Sequence, residues 1–248
     1  MDTKRDATEL LKYLVESMTR KIFDGTYLHG QKLRQETLAD EYDVSRTPVR
    51  EALRQLEIKG LVVQKWRHGV TVQRPSPADI SANYWLRAEL EGMAGELAAQ
   101  LMTDEDLGCL QIVHADCVEA VLALHAVQVP GREGPSPGFQ VHLQRWVDNN
   151  AQFHSMIYQA SGNTSLQRII KDLHVDYTQN ILSMTAAAMV ESRARKSIAH
   201  HHAIVDALTA RNPQAVREAM RKHIRESGEF IVEWLQNRPP LRKPLRRC

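Results

Sequence analysis

The segment that most constrains this chain is a short basic stretch, Val44–Leu56. It predicts a helix with an abrupt start, because Ser45 or Thr47 can cap the N-terminus and Pro48 suits the first turn. Apolar residues recur at i, i+4 and i+7 and predict one buried face: Val49, Leu53 and Leu56. A helix this short must pack that face against other elements to be stable.

A second face of the same helix carries Arg46, Arg50 and Arg54 at every fourth position. Like charges at this spacing repel each other on a helix surface, and an anionic partner removes that cost. Guanidinium groups near a helix N-terminus can bind guanine edges or phosphates in the major groove of DNA. A solvated basic face is the alternative, and this helix alone leaves both interpretations open.

The flanking segments favour the DNA interpretation. Leu38–Val44 predicts a short helix and tight turn before the basic helix, and Gly60 ends that helix. Two strand-like segments follow, 61–64 and 70–73, joined by the basic, glycine-closed turn Lys65–Gly69. Helix, turn, basic helix and basic-tipped hairpin form the order of a winged helix-turn-helix.

These segments resemble the N-terminal domain of the GntR family of bacterial transcription regulators. The similarity spans about residues 8–74 and centres on the Ser-Arg-Thr-Pro-Val-Arg-Glu-Ala-Leu run, Ser45–Leu53. It implies binding to double-stranded DNA, with Arg46 and Arg50 contacting bases. Phosphate or groove-edge contacts are expected from the other site residues: Arg34, Ser45, Thr47, Arg54, His68 and Gly69.

The rest of the chain predicts a mainly α protein with two domains. Residues 1–74 form the winged helix-turn-helix, and residues 75–78 form a stiff linker with two prolines. Residues 79–237 predict an all-α antiparallel helical bundle, and the basic, proline-containing tail 238–248 is expected to be disordered. Helices are predicted at 8–24, 79–101, 104–127, 140–160, 164–185, 191–209 and 213–236. The second of these carries an apolar series: Leu86, Leu90, Met93, Leu97 and Leu101.

Charge and composition suit a DNA-binding protein of the cytoplasm. The net charge of +2 combines a basic N-terminal domain, an acidic middle and a basic tail, so nucleic acid is expected at the N-terminal domain. No apolar run of about 20 residues and no apolar leader is apparent, so neither a membrane span nor export is predicted. Three cysteines without a close pair are expected to be reduced.

Histidines in the second half predict a buried polar cluster. Asn150 and His154 share a helix face, while His201 and His223 lie among apolar neighbours on two further helices. A single buried histidine is usually hydrogen-bonded within the core. Three histidines and an amide need a shared partner, and imidazoles with an oxygen ligand suit Zn, Ni, Fe or Mn.

This half is similar to the FCD effector-binding domain of FadR-type GntR regulators. The matching segments are Leu86–Glu91, Phe153-His154, Ala160–Asn163, His201–Leu208 and Ala219–Ile224. The resemblance implies a divalent metal held by an aspartate and three histidines, which correspond to Asn150, His154, His201 and His223. Asparagine is the weaker oxygen donor at the first position. The flanking His200 and His202 are expected to point away from the cluster.

Arg87 lies at the apolar border of its helix and has two interpretations. It can bind an organic acid bidentately inside the bundle, or pair with Glu91 as a snorkelling surface arginine. The resemblance favours the first interpretation.

Together these features predict a homodimeric transcription regulator that binds a palindromic operator through two N-terminal domains. A small organic acid, expected to be a carboxylate, alters DNA affinity from the helical domain, either alone or with the metal. A metal-responsive regulator and a metal-dependent enzyme are the alternatives. The chain is not expected to be an enzyme, because it has no H-E-x-x-H motif and no obvious carboxylate base.

Overall fold

A computed structural model of the chain describes residues 3–65, 69–73, 76–127, 136, 138–174 and 187–237. Two compact units divide at Asp79 and Ile80, next to the predicted linker. We call the unit that begins at the N-terminus the head, and Ile80–Glu233 the bundle; the end of the last helix, from Trp234, is grouped with the head. The predicted disordered tail 238–248 lies outside the described residues.

The head consists of three helices and a small sheet. Its elements are α1 (Thr3–Asp24), β1 (Lys32–Leu33), α2 (Gln35–Tyr42), α3 (Arg46–Ile58), β2 (Val62–Lys65) and β3 (Gly69–Val72). Fully buried apolar side chains of α1 and α3 pack together and form the centre of its core: Leu14, Met18, Ile22, Val49 and Leu56. The predicted apolar face of the basic helix is therefore the face that anchors α3.

The turn between α2 and α3 fixes the direction in which the basic helix leaves the core. Asp43 adopts a left-handed conformation with φ of 51°, and the Val44 N–H donates to the Ala39 carbonyl at 3.0 Å. Ser45 occupies the N-cap position, but its hydroxyl makes no capping hydrogen bond. The predicted side-chain cap is therefore wrong; Thr47 lies within the first turn, and extended backbone at Ser45 alone starts the helix.

The wing is an antiparallel sheet with strand order β1-β3-β2. Val62 pairs with Val72 and Lys65 with Gly69, so the two predicted strands form the expected hairpin. The two-residue strand β1, which pairs Lys32 with Thr71, was not predicted because it is too short to show a pattern. Gly69 has φ of 76°, which glycine adopts without strain.

Every regular element in the described residues of the bundle is a helix. Its elements are α4 (Pro77–Leu101), α5 (Asp104–Ala126), α6 (Phe139–Ala160), α7 (Thr164–Leu173), α8 (Ala187–Thr209) and α9 (Pro213–Asn237). The predicted helix 164–185 is too long, since α7 ends at Leu173 and His174 is extended; residues 175–186 lie outside the described residues. Thr103 and Asp106 form a capping box at the start of α5. The Thr103 hydroxyl accepts from the Asp106 backbone N–H, and the Asp106 carboxylate accepts from the Thr103 backbone N–H.

The inner face of α4 is built from small and polar residues. Leu86, Met93 and Leu101 of its apolar series are exposed, and Leu90 and Leu97 are half-buried against α7. Buried residues occupy the opposite face: Ile80, Tyr84, Arg87, Ala88, Glu91, Gly92, Ala94, Gly95, Ala98 and Ala99. The apolar series that indicated this helix therefore does not mark its inward side.

Helix α5 has the length and hydropathy of a membrane-spanning helix, which the sequence analysis did not single out. Its apolar composition has another cause in this fold. Leu110, Cys117 and Leu124 are fully buried, and the helix packs against α6 and α8 inside the bundle. A core helix of a bundle meets the same length and hydropathy criteria as a span.

Close approach between α4 and α9 depends on glycine, and this generates a stability prediction. A Cβ at Gly228 would lie 2.5 Å from the Tyr84 Cβ. We expect Gly228→Ala to lower the free energy of unfolding of the bundle by about 1–3 kcal/mol through overpacking. Gly108→Ala is the control, because a Cβ there meets nothing within 4 Å, and it should stabilise by about 0.4–1 kcal/mol. Urea unfolding measures both; equal effects would contradict the packing argument.

Candidate functional sites

The three arginines of α3 are not equivalent. The Arg46 guanidinium lies 3.0 Å from a Glu36 carboxylate oxygen, and Arg54 pairs with Glu51 at 2.6 Å. Arg50 is exposed and forms no ion pair with any carboxylate of the described residues. Arg50 is thus the one of the three arginines without a direct ion pair, although the neighbouring charge of Glu51 acts on it.

The remaining predicted DNA-contacting residues border the same helix. Arg34 is exposed and immediately precedes α2, while Ser45 and Thr47 are exposed at the start of α3. Gly69 begins β3 and pairs with Lys65 at the turn end of the wing hairpin. His68 lies outside the described residues. Leu33, which precedes Arg34, pairs with Val70, which follows Gly69. The pairing of β1 with β3 therefore links the segments that carry Arg34 and Gly69.

Three histidines meet in the centre of the bundle. His154 from α6, His201 from α8 and His223 from α9 are 5%, 0% and 3% exposed. Each offers a ring nitrogen, and these nitrogens all lie within 4.8 Å of one another. The Nε2 atoms of His154 and His223 are 3.0 Å apart. We call these three residues the histidine triad; it is the only such cluster of metal-ligating side chains among the described residues.

The triad is electrically neutral and short of hydrogen bonds. Burial lowers the pKa of His154 to about 4 and lowers the pKa of His201 and His223 well below the usual value. Neither ring nitrogen of His201 has a hydrogen-bond partner, although the ring stacks on Phe153 at 4.1 Å. A fully buried polar group without a partner costs free energy, so this ring is expected to have a ligand.

These features fit a divalent transition metal. Metal ligands must be deprotonated imidazoles, and the depressed pKa values supply them at neutral pH. Three converging nitrogens are a usual protein ligand set for zinc, with further positions left for an oxygen ligand. Bound metal would also satisfy the unpaired nitrogen of His201.

His223 has a further partner that the sequence analysis placed elsewhere. His200 was predicted to point away from the triad, but its Nδ1 lies 3.3 Å from the His223 Nδ1. The His200 Nε2 lies 3.3 Å from a Glu226 oxygen, so the acid, His200 and His223 form a chain. Such partners orient a ligating imidazole and select its tautomer. His202 does point away, to His114 at 3.0 Å.

Arg87 lies inside the bundle and its charge is offset. Its Nε donates to Glu91 at 2.8 Å, and both side chains are at most 5% exposed. Burial alone would lower the pKa of Arg87, but the charge of Glu91 raises it. Tyr158 donates a hydrogen bond to the other Glu91 oxygen, which lies 3.9 Å from the His154 Nδ1. The salt bridge with Glu91 that the alternative interpretation predicted is therefore present, but Arg87 is buried and does not snorkel to the surface.

Asn150 lies one helical turn before His154 and is half-buried. Its side-chain oxygen is 3.4 Å from the Ser197 hydroxyl of α8. On the same side, Arg193 of α8 donates to the Ser227 hydroxyl of α9, which donates to the His223 carbonyl at 2.7 Å. We call Asn150, Arg193, Ser197 and Ser227 the polar layer; each lies one or two turns from a triad histidine on its own helix.

Sequence reasoning missed the residues that surround the triad: Glu91 as a partner of His154, Tyr158, Arg193, Ser197, His200, Glu226 and Ser227. One signal was present, since Arg193 and Ser197 precede His201 by eight and four residues on one helix face. Tyr158 likewise follows His154 by four residues on α6, but nothing in the sequence indicated that Glu91 meets them, because α4 and α6 come together only in the folded bundle.

Two family models match the chain. The model described as "Bacterial regulatory proteins, gntR family" matches residues 11–72, and the FCD domain model matches residues 82–226. The first covers the helix-turn-helix and wing, and the second covers the bundle with all triad residues.

Individual relatives of the chain are also transcriptional regulators. The chain is 29% identical over 231 residues to the Exu regulon transcriptional regulator of Escherichia coli, covering 87% of this chain and 81% of that protein. It is 25% identical over 220 residues to the uncharacterized HTH-type transcriptional regulator YdhC of Bacillus subtilis, covering 88% and 89%. The fold is similar to that of E. coli McbR/YncC, with a TM-score of 0.60 at 21% identity, covering 92% and 99% of the two chains.

The buried neutral triad makes bundle stability depend on pH. In the unfolded chain histidine takes up a proton near pH 6.5, whereas His154 in the folded chain does so near pH 4. The stabilisation is therefore complete above about pH 6.5 and lost as pH falls towards 4, at up to about 1.4 kcal/mol per pH unit for each histidine.

Chemical unfolding of chelator-treated protein between pH 7 and 5 tests this. His201→Asn should reduce the slope of stability against pH, because one buried imidazole no longer resists protonation. His125→Gln, on an exposed position of α5, is the matched control and should leave the slope unchanged. A slope that is identical in His201→Asn and wild type would contradict a neutral buried triad.

Proposed function

This chain belongs to the GntR family of bacterial regulatory proteins and carries an FCD domain, and on that premise we propose that an organic acid bound beside a triad-held divalent metal controls its affinity for DNA. The family membership makes it a DNA-binding transcription regulator and not an enzyme. The observation that carries the proposal is the convergence of three buried, neutral imidazoles, one of them without any hydrogen bond.

We propose that Arg50 contacts base edges, with Arg46 beside it. An arginine fork binds guanine bidentately in the major groove, and Arg50 needs to break no ion pair to do so. Arg46 first has to leave Glu36, at an exposed pair that is worth little. Arg34, Ser45, Thr47, Arg54, His68 and Gly69 are assigned to phosphate and groove-edge contacts.

We propose that the protein is a homodimer on a palindromic operator. Two heads are needed to occupy two half-sites with two-fold symmetry. Support comes from the outer face of α4, where Leu86, Met93 and Leu101 are 41%, 42% and 58% exposed. Large apolar side chains in one row along a helix are typical of a surface that a second chain covers.

The triad would hold a divalent ion such as Zn, Ni, Fe or Mn, with Asn150 assigned as a fourth, oxygen ligand. When bound, the metal supplies a positive charge and open coordination positions for a carboxylate. His200 and Glu226 would orient His223, and Glu91 faces His154. A regulator of this kind acts on chromosomal DNA, so the cytoplasm is its proposed location.

A metal-responsive regulator is the second candidate. The complete burial of the triad favours it, because a structural or sensing metal has no need of a solvent path. The two functions differ in what changes DNA affinity: the metal alone for a sensor, and an organic acid added to the metal-loaded protein for the proposed function.

The DNA assignment generates a mutational prediction. On a duplex that wild-type protein selects from randomised DNA, Arg50→Ala should weaken binding by about 1–3 kcal/mol and relax specificity at one position. Arg46→Ala should also weaken it. Arg54→Ala is the matched control on the same helix and should cost less, because Arg54 is already paired with Glu51. A folded Arg46/Arg50 double variant that binds the duplex like wild type would overturn the assignment.

The metal assignment generates a prediction for Asn150→Asp. An ionised carboxylate is a stronger ligand for a divalent cation than an amide, so zinc retained after dialysis should rise. Asn149→Asp makes the same chemical change one residue away on another face of α6, and it should leave zinc content unchanged. If the triad is only structural, the added buried charge should lower stability and bind no zinc; that outcome would refute the metal site.

A further inference from the structure

The polar layer contains a buried arginine that has no direct counter-ion among the described residues. Arg193 is 6% exposed, and it forms no ion pair with any carboxylate of the described residues. Its single hydrogen bond goes to the neutral Ser227 hydroxyl, and its Nε–H has no acceptor. A buried charge without a counter-ion is costly, so folded proteins rarely retain one without a ligand.

Comparison with Arg87 shows the difference within the same bundle. Arg87 pairs with Glu91, whose charge raises the pKa of the guanidinium. Burial instead lowers the pKa of Arg193, and the charges of Tyr84 and Glu226 only partly oppose this. The effector role assigned to Arg87 from the sequence therefore suits Arg193 better, since Arg87 already has its carboxylate.

The position of Arg193 connects it to the histidine triad. Arg193, Ser197 and His201 occupy successive turns of one buried face of α8. Ser227 lies one turn from His223 on α9, and the two hydrogen bonds of the layer join α6 to α8 and α8 to α9. The charge of Arg193 is also among the causes that lower the pKa of every triad histidine.

A second donor without an acceptor lies nearby along the chain. The Trp146 side chain is 3% exposed, its indole N–H has no hydrogen-bond partner, and it lies one turn before Asn150 on α6. It packs in the same apolar cluster as Val190 and Ala194, which border Arg193 along α8. Donors without acceptors indicate a ligand that supplies oxygen lone pairs and negative charge.

We infer that Arg193 is the residue that binds the carboxylate of the effector, in the polar layer of the bundle and on the side of the triad occupied by Asn150. This assignment rests on the proposed function, because it places the acid that the regulator senses. The Ser197 and Ser227 hydroxyls are expected to orient the carboxylate, while Arg87 and Glu91 serve as an internally neutralised support for His154.

The test measures thermal unfolding of the full chain, zinc-loaded, with acetate, citrate or inorganic phosphate at matched ionic strength. Wild type should be stabilised by at least one of the two carboxylates, because a ligand that binds only the folded state raises the melting temperature. In Arg193→Met the apparent carboxylate affinity should fall by about ten- to hundredfold, as expected for loss of a charge-assisted hydrogen bond. Its ligand-free melting temperature should rise, since an unpaired buried charge is removed.

Lys196→Gln is the matched control, since it removes one positive charge from an exposed position of the same helix. Its carboxylate response should equal that of wild type. Arg193→Lys retains the charge and should keep a weakened response. A purely structural Arg193 makes the opposite forecast: Arg193→Met unfolds at lower temperature and still responds fully to the carboxylate.

A direct spectroscopic measurement covers the case in which Arg193→Met does not fold. The Nε–H signal of Arg193 in a nitrogen-15 spectrum is assigned by its disappearance in Arg193→Lys. It should shift when the stabilising carboxylate is added to wild type, because the Nε–H gains an acceptor. An unmoved signal in protein that the carboxylate stabilises would overturn the inference.

Zinc content of the same samples distinguishes an incorrect Arg193 assignment from a failure of the proposed function. If wild type retains zinc and its carboxylate response survives Arg193→Met, the Arg193 assignment is wrong and the proposed function stands. If wild type retains no zinc and no carboxylate stabilises it, the proposed function itself fails. A response to phosphate alone would reject the carboxylate as the ligand class.

Discussion

The bundle depends on one constraint, the burial of three imidazoles at the meeting point of α6, α8 and α9. Burial keeps His154, His201 and His223 neutral, and neutral imidazoles are what a transition metal binds. The same burial leaves His201 with two unpaired nitrogens. A bundle that only needed to be stable would place apolar side chains there, so the cost of these groups is best explained by a ligand.

The two buried arginines near the triad, Arg87 and Arg193, differ in how their charges are compensated. Glu91 offsets Arg87 and faces His154, while Tyr158 donates to Glu91 from one turn beyond His154. On the other side of His154 along α6 lies the polar layer, where Arg193 donates to the Ser227 hydroxyl and lies over the Phe230 ring, with no carboxylate partner among the described residues. The fold thus provides one arginine with an internal partner and one without. Of these two buried arginines, only Arg193 lacks a carboxylate partner among the described residues.

In the head, too, neighbouring arginines differ in whether a carboxylate pairs with them. Glu36 and Glu51 offset Arg46 and Arg54, which relieves the repulsion along α3 that three arginines would otherwise create. Of the three arginines, only Arg50 has no direct ion pair with a carboxylate of the described residues. An anionic partner can therefore pair with Arg50 without displacing an existing ion pair. Arg50 remains exposed because the opposite, apolar face of α3 is buried against α1.

Local pattern in the sequence was sufficient for the helix-turn-helix, the wing hairpin and the helical second half, because periodicity and turn residues act within one element or between neighbours. It also singled out the three triad histidines as polar residues of buried helix faces, but their meeting depends on three helices coming together. The family resemblance added the two domain types. The inward face of α4 escaped prediction, since its Leu and Met residues lie outside and small residues with Arg87 and Glu91 lie within. The contacts of His200 with His223 and of Arg193 with Ser227 join α8 to α9. Which buried charge finds a partner is a property of helices brought together in space, so only the tertiary structure decided it.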